Sequence, residues 1–362
     1  MDLFQSLLKT VFVSTIALIF TSCKGQVQNG DQHPVLNVAS PDNADTIPGA
    51  HGDLDCIIED LHGNYWIGSN GHGVYHYDGT SLKQITTQQG LCSDFIFKIQ
   101  MDAHGFLWFS TRDGICRYDG KTFSDYTDSI TNAPYFGFNP SERGLFFGHR
   151  QGICFYNGTS FRNFSIQPSD FHPLPGDNNL PYSIYSSLID KTGNAWFGTQ
   201  SKGVCRRQGN TSTFLTDKNL AGPAVRAMVE DPQGILWFGN NGGGLYRYDG
   251  QTLTNITEEK ALGNPKFLAG IYHDLPGSMA RIFALNTDNE GNLLIGTIDA
   301  GLWKYDGIHL TNYTTTEGLS GNSIRDIYKN KGGEIFIVSN SNAITKYDGK
   351  TFTELDFHGE VH

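Results

Sequence analysis

One phrase recurs seven times between Leu54 and Phe357, and a chain built this way must fold as an array of like units rather than as unrelated globular halves. Its clearest copies are Glu59-Asp60-Leu61-His62-Gly63-Asn64-Tyr65-Trp66-Ile67-Gly68 with Gly73-Val74-Tyr75-His76-Tyr77-Asp78-Gly79, and Glu230-Asp231-Pro232-Gln233-Gly234-Ile235-Leu236-Trp237-Phe238-Gly239 with Gly244-Leu245-Tyr246-Arg247-Tyr248-Asp249-Gly250. The Tyr-Asp-Gly element or its relic falls at Asp78, Asp119, Asn157, Gln208, Asp249, Asp306 and Asp348, in steps of 41, 38, 51, 41, 57 and 42 residues. The length of 362 residues, which alone would suggest two or three domains, therefore reads as one repeating body.

Within a unit the apolar residues alternate or cluster in runs of four to six bounded by Gly, Asn and Asp, the pattern of strands rather than helices. The first unit predicts strands at Leu54 to Glu59, Tyr65 to Gly68, Val74 to Tyr77 and Leu82 to Thr86. Four short antiparallel strands per unit define an all-β fold, a seven-bladed β-propeller of four-stranded blades. The composition agrees: 43 glycines serve turns, and an aromatic share of 12% is too high for a disordered chain. The Gly of Asp-x-x-Gly allows the tight turn between the first and second strands. Asp-Gly is expected to close the third-to-fourth hairpin through positive φ angles. Trp66, Trp108, Trp196 and Trp237 on second strands, with Trp303 on a third strand, are read as fillers between blades rather than as sugar-stacking platforms.

These units resemble the two-component regulator propeller repeat, whose consensus is close to Asp-x-x-Gly-x-Leu-Trp-Ile-Gly-Thr-x-x-x-Gly-Leu-x-x-Tyr-Asp. The resemblance spans Leu54 to Phe357 and is strongest in units one, two and five. It is degenerate at Ser141-Glu142-Arg143-Gly144-Leu145-Phe146-Phe147-Gly148 and at Lys331-Gly332-Gly333-Glu334-Ile335-Phe336-Ile337-Val338. It implies a periplasmic sensor propeller of the kind joined to hybrid histidine kinases that respond to polysaccharide fragments. Only His358 to His362 follow the last unit, so signalling is expected to pass through another envelope protein.

The first residues read as an address. Thr10 to Phe20 is an apolar run too short to cross a membrane as a helix, and small residues follow it, as in a secretory signal. Phe20-Thr21-Ser22-Cys23 resembles a lipobox, with Phe where Leu is usual. The alternative is a plain signal peptide with an incidental Cys23. The expected organisation is a lipoprotein signal over 1–22, a tether over 23–52, the propeller over 53–357 and a tail over 358–362. Cys23 carries the lipid and is the contact with the membrane. Lys24-Gly25-Gln26 lacks an acidic cluster, which favours a periplasm-facing anchor over a surface-exposed one. With 26 basic against 37 acidic side chains and a net charge of −11, nucleic acid is not an expected partner.

Six cysteines in an exported chain raise the question of disulfides. Cys116, Cys154 and Cys205 share one slot of the third strand in consecutive units. Equivalent positions in adjacent blades lie about 10 Å apart, beyond the roughly 7 Å Cα limit of a disulfide, so all three are expected to be free. Cys56 and Cys92 form a weaker candidate pair. His72 and His76 are too far apart on an extended strand to share a metal. No nucleophile elbow, phosphate loop or calcium loop is present, and no metal or cofactor is called for. Paired carboxylates could still be brought together by the ring.

Both long steps come from insertions, at about Gln167 to Tyr182 and Glu258 to Met279, in loops that enter a first strand. The loops after second strands emerge on the same face, and variable loops on a rigid scaffold commonly bind. These loops carry His72, Arg112, Asp113, His149, Arg150, Lys202, Asn240, Asn241, Asp299 and Asn340. Near the start of the first strands, beside the axis, stand Asp55, Phe97, Tyr185, Arg226, Phe283 and Arg325. Aromatics alternating with Arg and Asp suit a polar ring-shaped ligand such as a sugar. The expected function is a non-catalytic sensor for a glycan or peptide, or for an envelope signalling or transport protein. Two alternatives are an enzyme similar to the streptogramin lyases, drawing on His72 and His149, and a structural adaptor. If Cys23 is the lipidated residue, Cys23→Ala should abolish incorporation of labelled palmitate and release the protein from the membrane fraction.

Overall fold

The computed structural model describes residues 41, 44–135, 139, 142–149, 152–168, 171, 180–268, 277–341, 343–355 and 357. Seven antiparallel sheets follow one another along the chain. The first contains β1 (Leu54–Glu59), β2 (Tyr65–Ser69), β3 (Val74–Tyr77) and β4 (Leu82–Ile85), paired in that order. Five others repeat this meander. The third has three strands among the described residues, Leu145–His149, Gly152–Tyr156 and Phe161–Phe164. Among the described residues the first strands of blades one and two, and of blades four to seven in turn, pack side by side, and Ile324–Lys329 of the seventh returns to lie beside β1. The molecule is a seven-bladed β-propeller, as the repeat predicts.

Four blades are each tied by one carboxylate. Asp60 Oδ1 accepts the backbone N–H of His62 (2.8 Å) and Asn64 (3.0 Å), and its Oδ2 accepts the indole N–H of Trp66 at 3.0 Å. The same geometry recurs with Asp102 and Trp108, Asp190 and Trp196, and Asp231 and Trp237, each indole bond being 2.8 Å. The carboxylate shapes the turn and orients the indole, which then packs on the next blade. Trp66 lies 5.0 Å from Tyr118, and Trp108 lies 4.9 Å from Tyr156. Burial alone would raise the Asp190 carboxyl, but bonds from Trp196, Asn194 and Thr192 outweigh it and hold its pKa below the usual range.

The sixth and seventh units keep the turn and exchange its partner. In the sixth blade Leu294 replaces the tryptophan, and the Lys304 ammonium takes Asp288 Oδ2 at 3.1 Å. In the seventh, Asn330 Oδ1 accepts the Glu334 N–H at 2.8 Å while its amide donates to the Tyr65 hydroxyl of the first blade at 3.1 Å. In the third, the Phe146 ring stands edge-on to Phe197 at 4.9 Å, replacing the indole contact.

The third-to-fourth hairpin departs from expectation. Tyr77 pairs with Leu82, so four residues form the loop. Only Gly79 (φ 90°) has positive φ there; Asp78 does not. Asp78 instead accepts the N–H of Thr80 and Ser81 at 2.9 and 2.8 Å, an arrangement repeated at Asp119, Asn157, Asp249, Asp306 and Asp348. The side chain thus does what a second positive φ would do in a tighter turn.

The first and seventh blades meet by side-chain packing, each sheet using strands of its own unit. Leu54, Ile57, Ile67 and Tyr75 share a core cluster with Phe336, Val338 and Ile344. Both ends of the described chain cover this seam: Phe357 packs edge-on to Tyr77, Ala50 is buried in the same cluster, and Tyr75 donates its hydroxyl to the His51 carbonyl. Thr46 bridges Lys83 on β4. Residues 44–52, read as the end of a tether, are therefore docked on the first blade. Residues 1–40, with the expected signal and Cys23, lie outside the described residues, as do 358–362.

Cys92 and Cys116 form a disulfide, with Cα atoms 5.8 Å apart. This corrects the expectation of a free Cys116 and excludes a Cys56–Cys92 bond. Equivalent strands of adjacent blades stand too far apart to bond, but the partner of Cys116 lies on the loop entering the second blade. Cys154 and Cys205 are free and buried, with thiols pushed up to about 12 by burial. Cys56 is also free and buried.

Removing the Asp190 carboxylate strands the buried Trp196 indole N–H and two turn amides. Asp190→Ala should destabilise the fold by about 2–4 kcal/mol, read as a lower urea midpoint. Asp190→Asn, which keeps the acceptor as Asn330 does, should lose less.

Candidate functional site

Six first strands share an irregularity that the sequence pattern does not announce. In β1 the register passes from Leu54 opposite Ser69 to Cys56 opposite Gly68, leaving Asp55 out of the ladder. The same one-residue bulge leaves out Phe97, Tyr185, Arg226, Phe283 and Arg325. A bulge frees a residue from strict in-and-out alternation and re-aims its side chain. Because these strands line the axis, the bulges assemble a rim at the entry face. In ring order it reads Tyr185, Arg226, Phe283, Arg325, Asp55 and Phe97. The structure brings together these six residues, which the repeat had aligned.

Their contacts cross from blade to blade. The Arg226 guanidinium lies 4.5 Å from both the Tyr185 and Phe283 ring centroids. Arg325 sits 5.8 Å from Phe283 and 3.9 Å from the Asp55 carboxylate. Tyr185 and Phe97 keep 42% and 59% of their surface exposed. Such exposure is unusual for large aromatics on the innermost strand of a blade. Burial raises the Asp55 carboxyl and the Arg325 cation opposes the rise.

The loops around the rim contribute unequally. Arg112 lies over the Phe95 ring at 3.2 Å, and Lys202 lies 5.7 Å from the Tyr182 ring. Asp299 receives both oxygens' worth of bonding from Arg281, at 2.9 and 3.0 Å. His149 contacts Asn163 Oδ1 through Nε2 at 3.1 Å, and burial lowers its pKa. His72 is exposed and packs against Gly52, where a Cβ would meet its ring. Asp113 and Asn340 are exposed. Asn240 is wholly buried and spends its amide on Leu220 and Pro223 carbonyls and its oxygen on the Gly243 N–H, so its role is to shape the loop. Arg150 lies outside the described residues.

Three residues were missed. Arg281, at the entry to the sixth blade, binds Asn241 and Asp299 and lies 4.7 Å from the Phe267 ring, joining the second insertion to the rim. Lys98 and Asp326 occupy the position just after the bulge, where other blades carry the small residues Cys56, Ser186, Ala227 and Ala284. Two charges among small residues at one repeat position were a legible signal. Asp326 Oδ2 accepts the Ile57 N–H at 3.2 Å across the blade seam. Burial pushes its carboxyl up to about 6, against the pull of the Ile57 bond and the Lys98 cation. Lys98 is exposed by surface area, yet desolvation by the protein around it lowers its pKa, with Asp326 opposing.

The comparisons follow this geometry. Residues 219–242, which lead into and span the fifth blade's first hairpin, match the family model "Two component regulator propeller". No curated protein matched the sequence. The extracellular domain of BT4673 from B. thetaiotaomicron, described as a one-component system, aligns at 20% identity with a TM-score of 0.58, covering 84% of this chain and 40% of that one. The extracellular domain of the hybrid two-component system BT3049 from the same organism aligns at 19% identity and TM-score 0.50, over 85% of this chain and 46% of the other. This chain thus spans less than half the length of either. A catalytically inactive virginiamycin B lyase from Staphylococcus aureus, with quinupristin, aligns at 13% identity and TM-score 0.59, over 84% and 97%. These likenesses concern the propeller fold. No helix among the described residues is long and apolar enough to cross a membrane.

The raised Asp326 pKa has a definite sign. The folded state holds the proton more tightly than the unfolded chain, so this group favours folding below about pH 4 and that contribution is lost as pH rises through about 6. Asp326→Asn should flatten the change in melting temperature between pH 5 and 7.5, measured by calorimetry beside the parent protein.

Proposed function

We propose that this chain is an exported, lipid-anchored propeller that binds a carbohydrate fragment on its entry face and acts as a non-catalytic sensor module. The observation that carries the reading is the bulged rim, where Tyr185 and Phe283 alternate with the Arg226 and Arg325 guanidiniums and where Tyr185 and Phe97 stay exposed. An aromatic face beside a planar hydrogen-bond donor is the combination that holds a sugar, the ring stacking its C–H face and the Arg taking hydroxyls in pairs. The structural likeness to extracellular domains of one-component and hybrid two-component systems supports a sensing role. A lyase reading gains nothing from its histidines: His72 stands on the first blade, and His149, on the third, is bonded to Asn163.

A glycan array on the mature protein, followed by calorimetric titration of the best saccharide, tests the reading. Tyr185→Ala should weaken binding about tenfold, the order of one stacking contact, with the melting temperature unchanged. Absence of any saccharide ligand, with capture of an envelope protein instead, would favour the adaptor reading.

A further inference from the structure

We infer that the ligand of this face carries an oxyanion, a carboxylate or a sulfate on a sugar ring, and that Arg226 receives it. The inference rests on the carbohydrate reading above and adds the charge of the sugar. The Arg226 guanidinium is held between the Tyr185 and Phe283 rings, each 4.5 Å away. Its Nε is buried without a hydrogen-bond partner, and no carboxylate among the described residues lies within ion-pair distance of the side chain. A guanidinium remains charged at any physiological pH, so leaving its buried Nε–H without an acceptor and its charge without a counter-ion is costly.

The neighbouring cations deepen the need for an anion. Arg281 and Arg325 are both close enough to disfavour the charge on Arg226, yet they are arranged differently. Arg281 is satisfied by Asp299 and Asn241, and Arg325 faces Asp55 at 3.9 Å. Arg226 alone of the three lacks a counter-charge among the described residues.

Position points the same way. Arg226 belongs to the fifth blade, and the two insertions enter the fourth and sixth, so its rim segment is flanked by both. Phe267 of the second insertion stacks on Arg281, and Lys202 faces Tyr182 at the end of the first. The flat guanidinium between two rings presents its edge for paired hydrogen bonds to a carboxylate or sulfate, while exposed Tyr185 offers a face to the sugar that carries it.

Calorimetric titration with four probes tests this: digalacturonic acid, its dimethyl ester, the parent galactose disaccharide, and that disaccharide bearing one sulfate. An acidic probe should bind at least 30-fold more tightly than both neutral ones, and Arg226→Gln should remove that preference. Arg226→Lys should recover less than a tenth of the loss, because an ammonium cannot pair bidentately. Preference for the uronate over the sulfate ester, or the reverse, identifies the anion. Equal affinity for charged and neutral probes overturns the acidic assignment and leaves the carbohydrate reading standing. Binding of none of the four while another neutral glycan on the array binds also overturns the acidic assignment; absence of all saccharide binding overturns both. The comparison of the acid with its ester on the unmodified protein holds even if the variants fail to fold.

Discussion

The bond from a turn aspartate to a buried indole is the interaction on which the rest of the structure depends. One carboxylate closes the turn between two strands through its first oxygen and fixes the orientation of a tryptophan through its second. The indole then packs on the following blade, so a local turn and a long-range interface are set by the same side chain. Neither function is separable: without the turn the indole has no fixed direction, and without the indole the blade has no wedge against its neighbour. Where a unit lacks one partner, another stands in its place, with Lys304 on Asp288 and Tyr65 on Asn330.

This arrangement leaves the other end of the blades free. The clamped turns and the Asp-anchored hairpins share one face and hold short, stereotyped loops. The opposite face receives the bulges, the two insertions and the loops after the second strands. A bulge removes one residue from its ladder, a cost that a four-stranded sheet wedged between two neighbours can bear. The same bulge in six blades turns six otherwise equivalent positions into a rim whose chemistry varies while its geometry does not.

Much of this was legible in the residues because the repeat supplies its own alignment. The seven units, their strands and the six rim positions all emerge from comparing copies. The failures mark where that comparison stops. Cys116 aligned with Cys154 and Cys205, and the alignment argued correctly that equivalent strands stand too far apart to bond. Its partner, Cys92, lies on a connecting loop whose path no repeat position encodes. Asn240 looked like a loop donor until its loop was seen to fold back on it, and Arg281 gained importance only from Asn241, Asp299 and Phe267 around it.

By itself the amino-acid sequence determined the blade: a strand pattern, a carboxylate six residues before an indole, and glycine where the turn demands a positive φ. These are short-range relations, and their physical chemistry is complete within about forty residues. Tertiary structure alone decided which residues meet across blades. It placed Arg226 between Tyr185 and Phe283, residues 41 before and 57 after it. It also set Asp326 against Ile57 across the closing seam and docked residues 44–52 on the first blade. Those contacts depend on ring closure, and closure is a property of seven wedges summed around an axis, which no single unit contains.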